Sequence, residues 1–245
     1  TSVYKKYFNT CERKYYFVMM ETIVMKRGFF ITFEGGEGAG KSIQVEILAS
    51  HLREEGFPIV VTREPGGTRI GEQIRSITHN QENVDMEATT EAYLMAAARA
   101  QHVTQIIEPA LAAGKIVLCD RFVDSSISYQ GYGRKLGPDT ITSLNALAVN
   151  GAKPDLTLLL SVPPGIGQKR RSKSAKTNDR LDLQQHDFYS RVHDGYLALA
   201  NKERNGYVVI NAEESIVNVA QTIWNEVQKR LPVANGKTKT YITRV

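Results

Sequence analysis

Residues 33–42 read FEGGEGAGKS, and Gly35, Gly40, Lys41 and Ser42 within them satisfy the spacing G-x-x-x-x-G-K-[ST]. The stretch follows an apolar run and opens a helical pattern, the context in which such a loop binds phosphate. Each part of it has a chemical reason. Gly35, Gly36, Gly38, Ala39 and Gly40 carry little or no side chain, so successive backbone N–H groups can curl around a phosphate. The N-terminus of the following helix adds a favourable dipole. Lys41 supplies a mobile cation for β- and γ-phosphates, and the Ser42 hydroxyl is a hard oxygen ligand for Mg²⁺. Residues 35–42, Glu37 included, are therefore the predicted site for ATP.

Outward from this loop, short apolar runs alternate with helical patterns. The runs are Phe29–Phe33, Ile59–Thr62, Ile116–Cys119, Leu156–Val162 and Tyr207–Ile210, each rich in Val, Ile, Leu or Phe. Apolar residues at consecutive positions are what a parallel sheet covered on both faces requires. Helical patterns follow at about Lys41–Glu55, Glu87–Ala113, Pro164–Ser172, Gln184–Lys202 and Ser215–Arg230. Gly56 and Gly114 stand where C-caps belong, and Asp85 is placed to cap the second of these helices. The pattern predicts a doubly wound α/β domain around a five-stranded parallel sheet with helices on both faces. No internal repeat interrupts it.

The run IVLCDR brings Asp120 and Arg121 to the carboxyl end of a buried strand, where open α/β sheets bind their ligands. Asp120 suits the Mg²⁺ shell, and Arg121 can clamp a phosphoryl group with two N–H groups. An Asp-Arg pair at a strand end is more often a salt bridge. Its position one crossover after a phosphate loop favours the functional reading.

Composition narrows the alternatives. At 245 residues the chain is long enough to bury a sheet between two helical layers. No apolar run approaches the roughly 20 residues that span a bilayer, which predicts a protein without membrane contact. Cys11 and Cys119 lie far apart without metal-ligand spacing, so neither a disulfide framework nor a zinc site is expected. A reducing, cytoplasmic setting fits that usage. The sequence pI of about 9.1 would suit a nucleic-acid binder, but the charge is unevenly placed. Residues 1–27 hold six Lys/Arg against two acids and residues 232–245 hold three against none, leaving 22 bases and 24 acids in residues 28–231. The basicity belongs to the ends, and no nucleic-acid partner is expected. Residues 1–27 show neither helical nor strand periodicity and read as an extension. Residues 232–245 follow Pro232 and read as a tail.

Six motifs occur in one order: FEGGEGAGKS, TREPGGT at 62–68, EAYLMAAARAQH at 91–102, DRFVDSSISYQGYGR at 120–134, PDLTLLLSV at 154–162 and NDRLD at 178–182. Together they resemble the bacterial thymidylate kinase family over about residues 28–231. TREPGG and DRxxxSSxxYQG are far more specific than the phosphate loop. The resemblance implies a nucleoside monophosphate kinase that transfers the ATP γ-phosphoryl group to dTMP with Mg²⁺, as a homodimer.

It also implies roles for single residues. Glu37 matches a carboxylate that positions the acceptor. Arg63 matches an arginine directed at the acceptor phosphate, and Pro65 forms part of the wall behind the base. Arg75 is either a further basic contact near that phosphate or a surface helix residue. Met95 and Arg99 are four apart and share a helix face. Arg99 matches an arginine that bonds the thymine edge. Met95 stands where the family often has a stacking aromatic, and its thioether offers a polarizable substitute. Ser126 and Gln130 are implied near the base. Tyr129 is implied near the sugar 2′ position, where its ring excludes a ribose hydroxyl.

Residues 169–180 read KRRSKSAKTNDR and hold six basic residues, a predicted lid extending to about 182. The phosphate loop has no arginine, so transition-state cations must come from elsewhere. Arg180 aligns best with the family's lid cation, with Arg170 and Arg171 as helpers. Two rival readings stay open: a kinase for another pyrimidine monophosphate, and a non-kinase phosphate-loop ATPase. TREPGG, Arg99 and Tyr129 argue against the first, and the near-neutral central region against the second.

Overall fold

The sheet forms where branched and aromatic residues dominate both faces of the strands, and the buried hydroxyls of Thr32 and Thr157 bond each other. In the computed structural model, which describes residues 17–23, 27–174, 179–202, 206–231 and 237–243, the strands are β1 (Phe17–Ile23), β2 (Phe29–Glu34), β3 (Ile59–Arg63), β4 (Ile116–Asp120), β5 (Leu156–Ser161), β6 (Tyr207–Asn211) and β7 (Lys237–Thr243). Five of them make one parallel sheet in the order β3-β4-β2-β5-β6. Phe30, Ile31 and Phe33 of β2 are fully buried, as are Ile116, Val117, Leu118 and Cys119 of β4. Every one of the five predicted strands is present. The register puts Phe33 of β2 opposite Asp120 of β4, and Asp120 opposite Arg63 of β3. The carboxyl ends of three adjacent strands thus come level, and the residues that follow them meet.

The helices are α1 (Lys41–Glu54), α2 (Arg69–His79), α3 (Ala88–His102), α4 (Glu108–Ala112), α5 (Val123–Ser126), α6 (Pro138–Val149), α7 (Pro164–Ser174), α8 (His186–Lys202) and α9 (Ile216–Gln228). One face of the sheet packs on α1 and α9 through Val45, Leu48, Leu52, Val219, Ile223 and Val227. The opposite face packs Phe30, Val117 and Phe122 against Val103 and Ile107. Gly56 and Gly114 take positive φ of 82° and 70° just beyond their helices, as helix stops require.

Three expectations about the elements are corrected. The single helix expected over Glu87–Ala113 is broken by a π turn at Val103–Ile107 before α4. Pro109 has no N–H to give residue 105, so the ladder reroutes, with Glu108 N–H bonding Val103 O. Asp85 is not the cap of α3; Glu87 holds that position and makes no side-chain bond there. The ends of the chain also contain regular structure. Phe17–Ile23 and Lys237–Thr243 pair antiparallel with Met20 opposite Thr240, while the remainder of residues 1–26 and residues 232–236 and 244–245 lie outside the described residues. Each strand finds its partner more than 200 residues away, a pairing that local periodicity cannot show.

Candidate active site

The cleft lies over the carboxyl ends of β2, β3 and β4, between the loop 35–40 and helices α2, α3 and α7. Three features on one wall handle charge: Lys41, the Ser42–Asp120 pair and a group centred on Arg121. Lys41, 7% exposed, curls over its own loop and donates to the carbonyls of Gly35 at 3.1 Å and Gly36 at 2.9 Å. Burial and the neighbouring Arg121 bring its pKa down to about 8, against the pull of Asp120 and Glu37. The Ser42 hydroxyl donates to Asp120 Oδ2 at 2.7 Å, so two hard oxygen ligands stand side by side, 78 residues apart in sequence. That donor set fits a Mg²⁺ ion that takes its other ligands from water and substrate phosphates. Among the described residues no cluster of three or more His, Cys, Asp or Glu side chains could hold a metal alone.

Arg121 is the hub. Its Nη2 donates to Glu37 Oε1 at 2.7 Å and to Tyr129 OH at 3.2 Å, and its Nη1 donates to Gly35 O at 2.9 Å. Tyr129 OH also donates to Glu37 Oε1 at 2.9 Å. Burial works against the charge of Glu37, but Arg121, Lys41 and the Tyr129 bond prevail and hold its carboxyl at about 2. Glu37 is therefore an anion, and the Arg121 guanidinium is locked as a cation beside it. The loop carboxylate, the Asp-Arg arginine and the tyrosine of YQG, read separately from sequence, form one bonded group.

The far end of the cleft sets apolar Met95 and Pro65 beside its charged residues. Met95, 9% exposed, and Arg99, 3% exposed, both line it from α3. Arg99 is also a structural anchor. Its Nε bonds Glu64 Oε2 at 2.8 Å, its Nη1 bonds Ser126 Oγ at 3.0 Å and Asn145 Oδ1, and its Nη2 bonds Phe122 O at 3.0 Å. Of its five N–H groups, one on Nη2 is left for a ligand. Pro65 and Gln130 line the same region, Gln130 held by Glu91 Oε1 at 2.7 Å. Arg75 reaches the cleft and bonds Pro65 O at 3.1 Å, so it is not a plain surface residue. Arg63 lines the mouth and is gripped by both carboxylate oxygens of Glu72 at 3.0 Å.

The lid is where sequence reading and structure part. Arg180 does not face the cleft: it is 2% exposed, pairs with the buried Glu91 and donates from Nε to Thr78 O at 2.9 Å. Glu91 on α3 is fully buried, and a buried carboxylate needs cations beside it; Arg180 and Arg134 supply them. Arg171 of α7 lines the cleft instead, oriented by Asp182 at 3.1 Å and Asp179 at 3.3 Å. Arg170 points away, donating to the carbonyls of Ala212 and Glu213. Of the expected lid, residues 175–178 lie outside the described residues.

Sequence reading also missed several cleft residues. Glu64, buried between Arg99 and His102, sits inside TREPGG, and an acid at a strand's carboxyl end was the available signal. His79 lines the cleft near Arg75; burial and that arginine push its pKa down to about 4, so its ring is neutral near pH 7.

The lid helix rests on the phosphate loop without side chains between them. A Cβ on Gly167 would lie 2.3 Å from the Glu37 carbonyl oxygen, and one on Gly38 would lie 2.0 Å from the Gly167 oxygen. Both distances are far inside van der Waals contact, so the approach of α7 to the loop depends on these two glycines. Gly167→Ala is expected to push α7 away, costing about 1–3 kcal/mol of stability as overpacking does. The ATP Michaelis constant should rise with it. A melting curve and ATP kinetics equal to those of the unchanged chain would refute the contact.

Residues 33–223 match the family model described as thymidylate kinase. This chain belongs to the thymidylate kinase family. The thymidylate kinase of Geotalea uraniireducens (strain Rf4) is 47% identical over 209 residues, covering 83% of this chain and 98% of that protein. That of Clostridium novyi (strain NT) is 44% identical over 200 residues, covering 81% and 98%. Among solved structures, a crystal structure of thymidylate kinase from Ehrlichia chaffeensis superposes with a TM-score of 0.67 at 33% identity, covering 82% of this chain and 99% of that one. The matched region of this member of the thymidylate kinase family takes in the phosphate loop, Asp120–Arg121, α3 and the lid.

Proposed function

We propose that this chain transfers the γ-phosphoryl group of ATP to dTMP, giving ADP and dTDP, with residues 28–231 as the kinase domain. The observation that carries the reading is that one cleft joins two unlike ends. At one end stand Lys41, the Ser42–Asp120 pair and the Glu37–Arg121–Tyr129 group; at the other stand Met95 and Arg99. A phosphate donor and a flat base can occupy it together.

The roles follow from position. The loop 35–42 cradles the ATP phosphates, and the Lys41 ammonium moves from the Gly35 and Gly36 carbonyls onto phosphate oxygens. Ser42 and Asp120 would hold a Mg²⁺ ion, which would supply positive charge against the substrate phosphates. Arg121 faces the transferring group and Arg171 approaches it from the lid, supplying the cations that the loop lacks. Arg63 and Arg75 receive the acceptor phosphate. Met95 packs on the base, Arg99 donates its remaining N–H to the base edge, and Ser126 and Gln130 stand beside it. Tyr129, tied to Glu37, walls off the sugar 2′ position and favours deoxynucleotides.

The family resemblance further supports a homodimer in the cytoplasm. Tyr93 on α3 and Leu147 on α6, 63% and 89% exposed on two helices that pack together, offer apolar surface for a second copy. Among the described residues no helix is long and apolar enough to cross a membrane.

A coupled assay of ADP release over a panel of monophosphates tests the assignment. The expected result is a kcat/KM for dTMP roughly 10- to 200-fold above that for dUMP, the range one methyl group supports in an apolar pocket. UMP and CMP should be poorer still. Equal use of UMP or CMP would make the chain a general pyrimidine monophosphate kinase, and ADP release without any acceptor would make it an ATPase.

A further inference from the structure

Glu34 ends β2 immediately before the phosphate loop, and its side chain is fully buried. Nothing in the chemistry above uses it. Its two oxygens are nonetheless both engaged, and in a particular direction. Oε1 accepts the backbone N–H of Phe122 at 2.8 Å. Oε2 accepts from Ser125 Oγ at 2.6 Å and from Tyr196 OH at 3.1 Å. These two hydroxyls stand 2.9 Å apart, and both face Arg121 Nη1, at 3.3 Å and 3.1 Å.

A hydroxyl has one proton and two lone pairs. When Ser125 and Tyr196 give their protons toward the carboxylate, their lone pairs turn toward the guanidinium. The carboxylate thus sets the polarity of a short chain, carboxylate to hydroxyls to arginine, that holds Nη1 in place. Nη2 is then left aimed at Glu37 and Tyr129. Glu34 also acts on the backbone of the same residue. Arg121 has φ of 73°, a left-handed conformation that a residue with a Cβ rarely adopts. It is bonded on both sides, its own N–H to Phe33 O at 2.9 Å and the next N–H to Glu34.

We infer that Glu34 is a positioning residue for Arg121, holding both its left-handed backbone and its guanidinium so that the arginine faces the transferring phosphoryl group. Burial opposes the charge on Glu34 and pushes its carboxyl upward, while the Ser125 bond, the Arg121 charge, the Phe122 N–H and the Tyr196 bond pull the other way. Glutamine in its place has one acceptor oxygen, and its amide protons would meet either the Phe122 N–H or the two hydroxyls. The polarity of the chain would be broken without loss of volume.

The inference rests on the proposed role of Arg121, and a double-mutant cycle on the full chain separates the two. kcat and both Michaelis constants are measured for the unchanged protein, Glu34→Gln, Arg121→Lys and the pair. Glu34→Gln is expected to lower kcat by roughly tenfold or more with both Michaelis constants within about threefold. On the Arg121→Lys background the same change should cost less than about threefold, since residues that act through one another are not additive. Equal losses on the two backgrounds, or an undiminished kcat in Glu34→Gln, would overturn the role of Glu34. An undiminished kcat in Arg121→Lys would instead overturn the proposed role of Arg121 itself. Should Glu34→Gln not fold, Ser125→Ala with Tyr196→Phe removes the two hydroxyls and keeps the carboxylate. The same lack of additivity with Arg121→Lys is then expected, and additive losses again refute the inference.

Discussion

Lys41→Ala and Asp120→Ala are each expected to lower turnover by at least roughly 100- to 1000-fold, the range seen when a group aimed at developing transition-state charge is removed. The two act differently. Among the described residues Lys41 makes no ion pair; its ammonium rests on the carbonyls of Gly35 and Gly36 and can move to phosphate. Its loss removes a mobile cation from the β- and γ-phosphates. Asp120 is bonded to Ser42, and its loss removes the carboxylate proposed to hold Mg²⁺ and frees the hydroxyl beside it. Neither change opens a cavity in the apolar clusters behind the sheet, so melting temperature and circular dichroism should stay close to those of the unchanged chain. Asp120→Ala should respond to raised Mg²⁺ where Lys41→Ala should not. Near-normal turnover in either folded variant would remove the basis of the proposed mechanism.

Arg99→Ala is expected to affect both stability and acceptor binding, with stability changing first. The guanidinium neutralises Glu64, which is 5% exposed and shares its other oxygen with His102 Nδ1 at 2.8 Å. Removing one partner of a buried pair costs about 3–5 kcal/mol because the remaining charge has no compensation. Ser126, Asn145 and the Phe122 carbonyl lose a donor as well. For a domain of this size that corresponds to a fall in melting temperature on the order of 10 °C. Below that temperature the dTMP Michaelis constant should rise by roughly tenfold, from the one remaining N–H and from the disturbed cleft wall, while that for ATP changes little. A lower melting temperature with unaltered dTMP kinetics would make Arg99 purely structural. Met95→Phe is the contrast: it changes shape without directional bonds, so dTMP binding should hold or tighten.

Much of the site was legible because its parts lie in short, local patterns. The phosphate loop is a run of eight residues whose glycines and lysine have no common alternative use in that order. Asp120 and Arg121 could be placed because a strand of consecutive apolar residues points its end at the ligand side of the sheet. Met95 and Arg99 share a face by helical spacing alone. The sequence by itself therefore determined the sheet, the loop and the residues at the strand ends.

What only the tertiary structure decided was which charge answers which. Six basic residues crowd residues 169–180, and nothing local ranks them. Glu91, 89 residues before Arg180, is buried in α3 and takes that arginine into the interior, which leaves Arg171 at the cleft. Glu64 and Arg99, 35 residues apart, and Glu34 and Tyr196, 162 apart, are matched in the same way. The physical reason is that a buried charge is stable only beside its partner, and partners are set by which elements pack together. Charge type and helical face can be read along the chain, but pairing is a property of the assembled layers.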